Sequence, residues 1–317
     1  MPTKLPKPPS RRPRRRAVVV TVLFVLAAAL LGNALVVDRQ GAPATGDSLL
    51  SVDGEQIHVT QDGPAEAPSL VLIHAFSASG RFWDSVVPML TGSHRVIRID
   101  LLGHGRSAKP AGDGYAITDQ GRLVGDVLDR LGVGSAVVVG HSTGGSVATA
   151  LAEQRGDLVT ALALVDTGPG LEAKIPEGPV NQLVQTPVVG PLLWRLRTDS
   201  LIRKGAATAV TRDVPIPQAV VDDVRGMTYH AFTATYQASR DYLRRRPLPD
   251  RLATTGLPLL VIFGDQDRRW RSSSAAGYRA VPGARIEMLA GVGHSPPIEE
   301  PQRTAELIMA FAATPPV

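Results

Sequence analysis

The chain contains no cysteine among its 317 residues. Without thiols it can form no disulfide, no thiolate metal site and no cysteine nucleophile. Acidic residues are absent before Asp38, whereas seven of the 34 Lys and Arg residues lie in the first 16 positions. The other 27 basic residues are slightly outnumbered by 29 acidic ones, so the formal net charge of +5 comes from the N-terminal tail. A nearly neutral body without a basic stripe argues against nucleic-acid binding.

Several motifs of metal and cofactor chemistry are also missing. The sequence contains no H-E-x-x-H zinc motif, no phosphate-binding P-loop and no G-x-G-x-x-G dinucleotide fingerprint. We therefore expect that neither a metal nor a cofactor takes part in the chemistry of this protein.

Charged residues are absent from residues 17–37, an apolar run of 21 residues. At about 1.5 Å per residue, a helix of this length reaches roughly 30 Å, the thickness of a bilayer's hydrocarbon core. A buried core helix would carry a polar face, which this run lacks. Residues 1–16 are predicted to be a disordered basic tail, and such tails remain on the cytoplasmic side of a membrane.

The apolar run therefore predicts a single-pass membrane anchor with the following body outside the cytoplasm. The alternative is a signal segment that is removed, with small residues suited to cleavage after Ala34 or Ala44, which would give a secreted protein. Residues 38–47 are predicted to be a linker.

From residue 48 onward, short apolar runs alternate with segments of helical periodicity. Asp53-Gly54 predicts a hairpin turn at the start of this region. The later runs are apolar on both faces, which is typical of a parallel sheet covered on both sides. We predict an α/β fold with a mostly parallel, doubly wound sheet. The predicted strands lie within residues 69–76, 94–103, 135–142, 159–168, 257–267 and 284–294, and the predicted helices include residues 118–132, 144–156 and 300–313.

Residues 169–250 interrupt this alternation with helical stretches separated by prolines and no clear strand. A segment of about 80 residues is too long for an unstructured loop within a compact domain. We predict a helical cap, inserted between two parts of the core at residues 48–168 and 251–317.

A G-x-S-x-G motif spans residues 140–144, where a predicted strand meets a predicted helix. Such a turn exposes the serine hydroxyl, and glycines on both sides avoid collisions across it. The N–H groups at the start of the following helix are available to an anion. This context favours Ser142 as a nucleophile over a serine in an ordinary glycine-rich turn.

A serine hydroxyl needs a base, and the base must be oriented by a third group. His294 follows the last predicted strand, and Asp267 follows the strand before it. We predict that His294 is the base and that Asp267 orients it. Two other acids remain alternatives. Asp265 lies in the same motif as Asp267, and Asp166 follows the apolar part of the predicted strand at residues 159–168.

Five motifs follow successive predicted strands: HAFSAS, DLLGHGRSAKP, GHSTGG, VIFGDQD and GVGHSPPIEEP. With these motifs, residues 48–313 resemble the α/β-hydrolase superfamily in its cap-bearing branch of esterases and lipases. The resemblance implies an enzyme with Ser142 as the nucleophile, His294 as general base and acid, and Asp267 as the orienting carboxylate. The chain order Ser, Asp, His is the order of that fold.

The resemblance also implies an oxyanion hole formed by the backbone N–H groups of Thr143 and Phe76. This sequence departs from the family in the loop that carries Phe76, because His74 is followed by Ala75 where relatives usually have glycine. Alanine tolerates fewer backbone angles than glycine does.

We expect a serine hydrolase that cleaves a small-molecule carboxylic ester or a related acyl bond. A lipase, a C–C bond hydrolase and an acyltransferase remain alternatives because they use the same triad. Serine at position 142 argues against relatives that attack carbon with a carboxylate. An alternative of another class is a non-catalytic binding protein on the same scaffold. Four aromatic residues of the predicted cap are expected to pack within it or to line an acyl pocket: Trp194, Tyr229, Phe232 and Tyr236.

Overall fold

The computed structural model describes residues 16–25, 27–28 and 48–313. The chain divides into two compact units, the first ending at Gly41 and the second beginning at Ala42. In the first unit, residues 16–25 and 27–28 are helical and exposed. The predicted linker, nearly all of the predicted basic tail and the rest of the predicted membrane segment lie outside the described residues.

Across the described ranges, no helix combines the length and the apolar character that a membrane span requires.

The second unit is built around an eight-stranded sheet. Its strands are β1 (Leu49–Val52), β2 (Glu55–Asp62), β3 (Ser69–Ile73), β4 (Arg95–Ile99), β5 (Ala136–His141), β6 (Val159–Val165), β7 (Leu259–Gly264) and β8 (Arg285–Leu289).

The strand order is β1-β2-β4-β3-β5-β6-β7-β8. β2 runs antiparallel to both β1 and β4, and the strands from β4 across to β8 are parallel. Asp53 and Gly54 both have positive φ between β1 and β2, as the predicted hairpin turn requires. The prediction of a mostly parallel sheet is confirmed. The carboxyl ends of the parallel strands meet at one edge, where ligands bind in open α/β sheets.

The apolar strands are buried on both faces. In β5, Val138 belongs to one apolar cluster and Val139 to the other, because successive side chains point to opposite sides of the sheet. Within residues 48–313, eleven helices and three 3-10 helices accompany the sheet. The helices are α1 (Val87–Leu90), α2 (Ile117–Arg130), α3 (Thr143–Gln154), α4 (Pro179–Val184), α5 (Val189–Arg195), α6 (Asp199–Ala207), α7 (Gln218–Gly226), α8 (Tyr229–Arg245), α9 (Leu248–Leu252), α10 (Pro296–Glu299) and α11 (Pro301–Ala312), and the 3-10 helices are Gly80–Trp83, Leu171–Ala173 and Ser272–Ala280.

Between β6 and β7, helices α4 to α9 occupy the region predicted to be a helical cap. The predicted boundary at residue 250 falls within α9. Leu248 and Leu252, one helical turn apart, are buried in the main apolar cluster of the core. By its packing, α9 therefore belongs to the core, and we use "the cap" for α4 to α8 and the segments that join them.

Candidate active site

Ser142 lies between β5 and α3, at the carboxyl edge of the sheet. Its backbone has φ +52° and ψ −116°, a conformation that residues other than glycine rarely adopt. A Cβ atom on Gly140 would lie 2.4 Å from the carbonyl oxygen of Gly144, and one on Gly144 would lie 2.4 Å from that of His74. The glycines of the motif are therefore required by close backbone approach on both sides of the serine.

Neighbouring groups hold this strained turn in place. The Ser142 N–H donates to the carbonyl oxygen of Val165 at 2.9 Å. The Ser142 carbonyl oxygen accepts from the N–H of Gly145 at 3.0 Å and from Thr167 Oγ1 at 3.2 Å. A strained residue persists only where its surroundings determine its position in this way.

The structure brings Ser142, His294 and Asp267 together. The Ser142 hydroxyl lies 3.1 Å from His294 Nε2, and His294 Nδ1 lies 2.8 Å from Asp267 Oδ2. All three residues are buried. Because a carboxylate only accepts, the proton of the neutral imidazole belongs on Nδ1, which leaves Nε2 free to accept from the serine.

The second oxygen of Asp267 is held by the backbone. Asp267 Oδ1 accepts from the N–H of Arg269 at 2.6 Å and from that of Trp270 at 3.1 Å. These bonds fix the plane of the carboxylate and aim its other oxygen at His294.

The two alternative acids occupy other positions. Asp265 accepts from the N–H of Gly291 at 2.8 Å, and Asp166 accepts from the N–H of Gly264 at 2.8 Å. Burial raises the pKa of Asp166 well above its usual value, and the negative charge of Asp267 adds to the shift. This shift favours the neutral form of Asp166, which lacks the charge with which an acid stabilises an imidazolium.

The two predicted oxyanion donors lie on separate elements. Thr143 is the first residue of α3, and Phe76 lies in the loop after β3. Within residues 48–313 neither N–H donates to another group. The left-handed conformation in the Phe76 loop falls on Ser77, with φ +58°, and not on Ala75. The alanine at position 75 is therefore compatible with the backbone of this loop.

His74 orients the peptide that carries the Phe76 N–H. His74 Nδ1 donates to the carbonyl oxygen of Ala75 at 2.7 Å, and Nε2 accepts from the N–H of Leu101 at 3.0 Å. The carbonyl of Ala75 and the N–H of Phe76 belong to one planar peptide, so fixing the first directs the second. Burial lowers the pKa of His74, against the opposing influence of Asp100, and this keeps the ring neutral as both bonds require.

The buried carboxylate of Glu299 fixes the backbone of the loop that carries His294. Glu299 accepts backbone N–H groups from Gly293 and Ser295 in that loop and from Thr211 and Arg212 in the cap, at 2.7 to 3.1 Å. The His294 N–H also donates to the carbonyl oxygen of Ala209 at 2.7 Å. Reasoning from the sequence missed Glu299, because nothing in "PPIEEP" separates it from Glu300.

His141 is buried next to the loop that carries His294. Its ring stacks on Phe82 with centroids 4.5 Å apart, and its Nε2 donates to the carbonyl oxygen of His294 at 2.8 Å. Burial and the neighbouring His294 lower the pKa of His141 well below its usual value. His141 therefore packs as a neutral ring under the His294 loop.

One group of side chains among the described residues has metal-ligand spacing. Atoms of His141, Asp166 and His294 lie within 4.8 Å of one another. Both ring nitrogens of His294 already face Asp267 and Ser142, and burial raises the pKa of Asp166, which favours its neutral form. These conditions disfavour a cation, which needs deprotonated and available ligands.

The side of the site that faces the cap is aromatic. Phe76 lies 4.8 Å from Phe232 on α8, and Phe232 lies 4.3 Å from Trp194 on α5, measured between ring centroids. Tyr236 lies 6.2 Å from Phe76, while the Tyr229 hydroxyl donates to the carbonyl oxygen of Val184 within the cap. The predicted aromatic residues of the cap thus pack on one another and reach the loop that carries the candidate oxyanion donor.

One buried hydrogen bond joins that loop to the cap. Ser79 donates to Asp223 Oδ2 on α7 at 2.7 Å. Burial raises the pKa of Asp223 to about 7.

Comparisons with known proteins agree with this architecture. A model of the alpha/beta hydrolase family matches residues 70–307. An uncharacterized protein of Mycobacterium tuberculosis is 30% identical over 260 residues, which cover 78% of this chain and 76% of the relative. A monoacylglycerol lipase of Xenopus laevis is 25% identical over 280 residues, covering 81% of this chain and 79% of the lipase. The crystal structure of a Pseudomonas aeruginosa hydrolase, 28% identical, has a TM-score of 0.71 and covers 86% of this chain and 100% of that chain.

The family match extends from β3 to the last helix, across both parts of the core and the cap between them. The resemblance inferred from the sequence motifs is thereby confirmed, and the chain belongs to the alpha/beta hydrolase family, a family of hydrolytic enzymes.

Proposed function

We propose that this hydrolase cleaves a carboxylic ester through an acyl-enzyme on Ser142. The observation that supports this most directly is the continuous path of hydrogen bonds from Ser142 through His294 to Asp267. A serine with an aligned and oriented base is the arrangement that nucleophilic acyl transfer needs.

In the first half of the reaction, Ser142 Oγ attacks the ester carbonyl carbon as its proton passes to His294 Nε2. Asp267 stabilises the resulting imidazolium through Nδ1. The negative charge that develops on the carbonyl oxygen is met by the N–H groups of Thr143 and Phe76, each contributing on the order of 3 kcal/mol to transition-state stabilisation. The bond to the alcohol oxygen then breaks, His294 gives its proton to that oxygen, and the acyl group remains on Ser142.

In the second half, His294 Nε2 takes a proton from water as the water oxygen attacks the acyl carbon. The same two N–H groups stabilise the second oxyanion. The bond to Ser142 Oγ breaks, the proton on Nε2 returns to that oxygen, and a carboxylic acid leaves. Replacing water by an alcohol or amine acceptor in this step would give the acyltransferase alternative.

The proposed substrate class is supported by the aromatic residues of the cap. Phe76, Phe232 and Trp194 form an apolar wall beside the candidate oxyanion donor. Such a wall favours an ester with an extended hydrocarbon group over a short or charged acyl group. The similarity to a monoacylglycerol lipase supports the same class.

Labelling with a fluorophosphonate probe tests the nucleophile. The wild-type protein should be labelled, whereas Ser142→Ala should not be labelled and should keep its melting temperature within a few degrees. An unlabelled but folded wild-type protein, or equal labelling of the variant, would refute the assignment of Ser142.

A series of p-nitrophenyl esters of increasing acyl length tests the substrate class. We expect kcat/KM to rise from acetate toward longer chains, because a longer chain buries more apolar surface against the cap. A maximum at acetate would contradict the proposed class, and a lack of turnover in the presence of probe labelling would favour transfer to another acceptor.

The proposed location is the outer side of the cytoplasmic membrane, with residues 17–37 as the anchor. The uncharged run and the basic residues before it support this orientation. Protease added to intact cells from which any outer envelope layer has been removed should digest the catalytic body and spare the basic tail. Digestion of the body only after lysis would overturn the proposal.

A further inference from the structure

Exposed apolar side chains are concentrated on one part of the cap. Within residues 48–313, seven large apolar side chains are exposed, and six of them lie between residues 183 and 201. The seventh, Met288, lies on β8 at the edge of the sheet. The six form what we call the outer cap face: Leu183, Val188, Val189, Leu192, Leu196 and Leu201.

Helix α5 shows how this face arises. Its Gly190 and Trp194 are buried, and a Cβ on Gly190 would lie 2.2 Å from the Tyr229 hydroxyl, so this side of the helix packs closely on α8. Val189 and Leu192, on the other side of α5, are 42% and 55% exposed. A surface helix normally presents polar residues to water, and an exposed apolar patch on a folded domain indicates an interaction site.

The charges around the outer cap face are positive. Between residues 179 and 207 the sequence has four basic residues and one acidic residue, Asp199, which forms an ion pair with Arg225. Arg195 and Lys204 form no ion pair with any residue of the described body, and both are exposed. The face therefore combines unpaired cations with aliphatic side chains.

This combination suits an anionic lipid surface. Acyl chains accept Val and Leu side chains, and anionic headgroups attract Arg and Lys. Energetically important residues of protein interfaces are enriched in Trp and Tyr, which the outer cap face lacks.

We propose that the outer cap face docks on an anionic lipid surface. Ring contacts connect α5 to the loop of the candidate oxyanion donor, because Trp194, on the inner side of α5, contacts Phe232, which in turn contacts Phe76. The docking does not depend on the proposed hydrolysis, since none of the residues of the face takes part in the reaction.

The absence of cysteine allows a direct test by site-specific labelling. Two full-length proteins, Leu192→Cys and the matched control Met288→Cys, carry an environment-sensitive NBD label, and both also carry Ser142→Ala so that no lipid is consumed. Each is reconstituted with vesicles of phosphatidylcholine and phosphatidylglycerol, with and without a spin-labelled lipid that quenches NBD within the bilayer. Both proteins share the same N-terminal segment, so the amount of protein that this segment attaches to the vesicles is the same for both labels.

We expect quenching and a blue shift at position 192 and neither at position 288. Absence of quenching at 192, or equal quenching at both positions, would overturn the proposal. A blue shift at 192 that occurs without vesicles, together with a dimer in light scattering, would assign the face to a second copy of the chain and would equally overturn it. Loss of esterase activity in the wild type would leave these outcomes unchanged, so the two proposals fail separately.

Variants of the face provide a second measurement. With an NBD label at Val188→Cys, the further substitution Leu192→Ser should raise the lipid concentration needed for half-maximal quenching by about tenfold. A leucine buried in the lipid contributes to membrane binding through its apolar area. Met288→Ser, which removes a comparable exposed side chain, should leave that lipid concentration unchanged. Arg195→Gln with Lys204→Gln should weaken quenching of the same label in vesicles that contain phosphatidylglycerol and leave quenching in pure phosphatidylcholine unchanged. An equal effect of Met288→Ser, or equal weakening on both lipids, would contradict the docking surface as defined.

Discussion

Two regions of the candidate site are stabilised in different ways: the cap, and the turn and loops that carry Ser142, Asp267 and His294, which we call the floor. On the floor, Ser142, Asp267 and His294 are each less than 10% exposed, and backbone groups hold the turn and loops that carry them. On the cap, Val188 is 86% exposed, and the side that faces the Phe76 loop is lined by aromatic rings. Directional hydrogen bonds determine positions closely, whereas apolar contacts tolerate changes of shape.

This difference assigns different tasks to the two regions. The floor determines the geometry of bond breaking, which must be held to a fraction of an ångström. Under the proposed function, the cap would select which hydrocarbon group reaches Ser142. Substitutions on the floor should therefore lower kcat for every ester, and substitutions on the inner side of the cap should change the preference among esters.

The largest expected effect is that of Asp267→Asn. The variant should lower kcat by about 10²- to 10⁴-fold, because an amide neither stabilises the imidazolium nor holds the proton on Nδ1. Asp265→Asn is the matched control and should stay within a few-fold of wild type, since Asp265 bonds the N–H of Gly291. The measurement is steady-state kinetics on a soluble ester. An equal loss of kcat in both variants would show that Asp267 is not the orienting acid.

Glu299→Gln should have the next largest effect. The buried carboxylate accepts N–H groups from both the His294 loop and the cap, and the amide replaces one of its oxygens by a donor. We expect a loss of about 1.5–3 kcal/mol in the free energy of unfolding. We also expect a fall in kcat with little change in KM. Glu300→Gln, which loses a surface ion pair with Arg212, serves as control, and unchanged kcat in folded Glu299→Gln would show that the loop keeps its place without the carboxylate.

Phe232→Ala should act on selectivity alone. Removing this ring leaves the hydrogen bonds of the floor intact and takes apolar contact from a long acyl chain, so kcat/KM should fall about tenfold for a long-chain ester and stay nearly constant for acetate. Leu192→Ala, on the outer side of the cap, should change neither value when the ester is soluble. Equal losses for both esters in Phe232→Ala would mean that the ring positions the oxyanion loop and does not select the chain.

The smallest effect concerns Asp223, which joins the two regions through Ser79. Burial raises its pKa to about 7, so the folded protein retains a proton that the unfolded chain releases above about pH 4. The stability contributed by this group therefore falls as the pH rises from about 4 to about 7 and is constant above that. The melting temperature of Asp223→Asn minus that of wild type should increase by a few degrees over this range. Asp222→Asn, at an exposed neighbour, should show no such trend, and a flat difference for Asp223→Asn would contradict the prediction.

Much of the core was predictable because its signals are local. The apolar runs of β5 and β7 indicate strands buried on both faces, and Gly140 and Gly144 indicate the turn that carries Ser142. The left-handed Asp53-Gly54 turn is likewise a property of two adjacent residues. In each case the pattern and the structure depend on neighbours in the chain.

Other features depend on residues far apart in the sequence. Glu299 bonds Thr211 across 88 positions, and nothing near either residue indicates the pair. The predicted cap boundary at residue 250 falls within α9, whose helical pattern is ordinary, and only the burial of Leu248 in the core shows what this helix packs against.

The sequence by itself determined the alternation of strands and helices in the core and the turn at Ser142, because local periodicity and close glycine contacts leave few alternatives. Only the tertiary structure decided that Asp267, and neither Asp265 nor Asp166, reaches His294, and that the apolar residues from Leu183 to Leu201 remain exposed. The direction of a side chain and its burial depend on what the rest of the chain packs against it, and the local sequence does not contain that information.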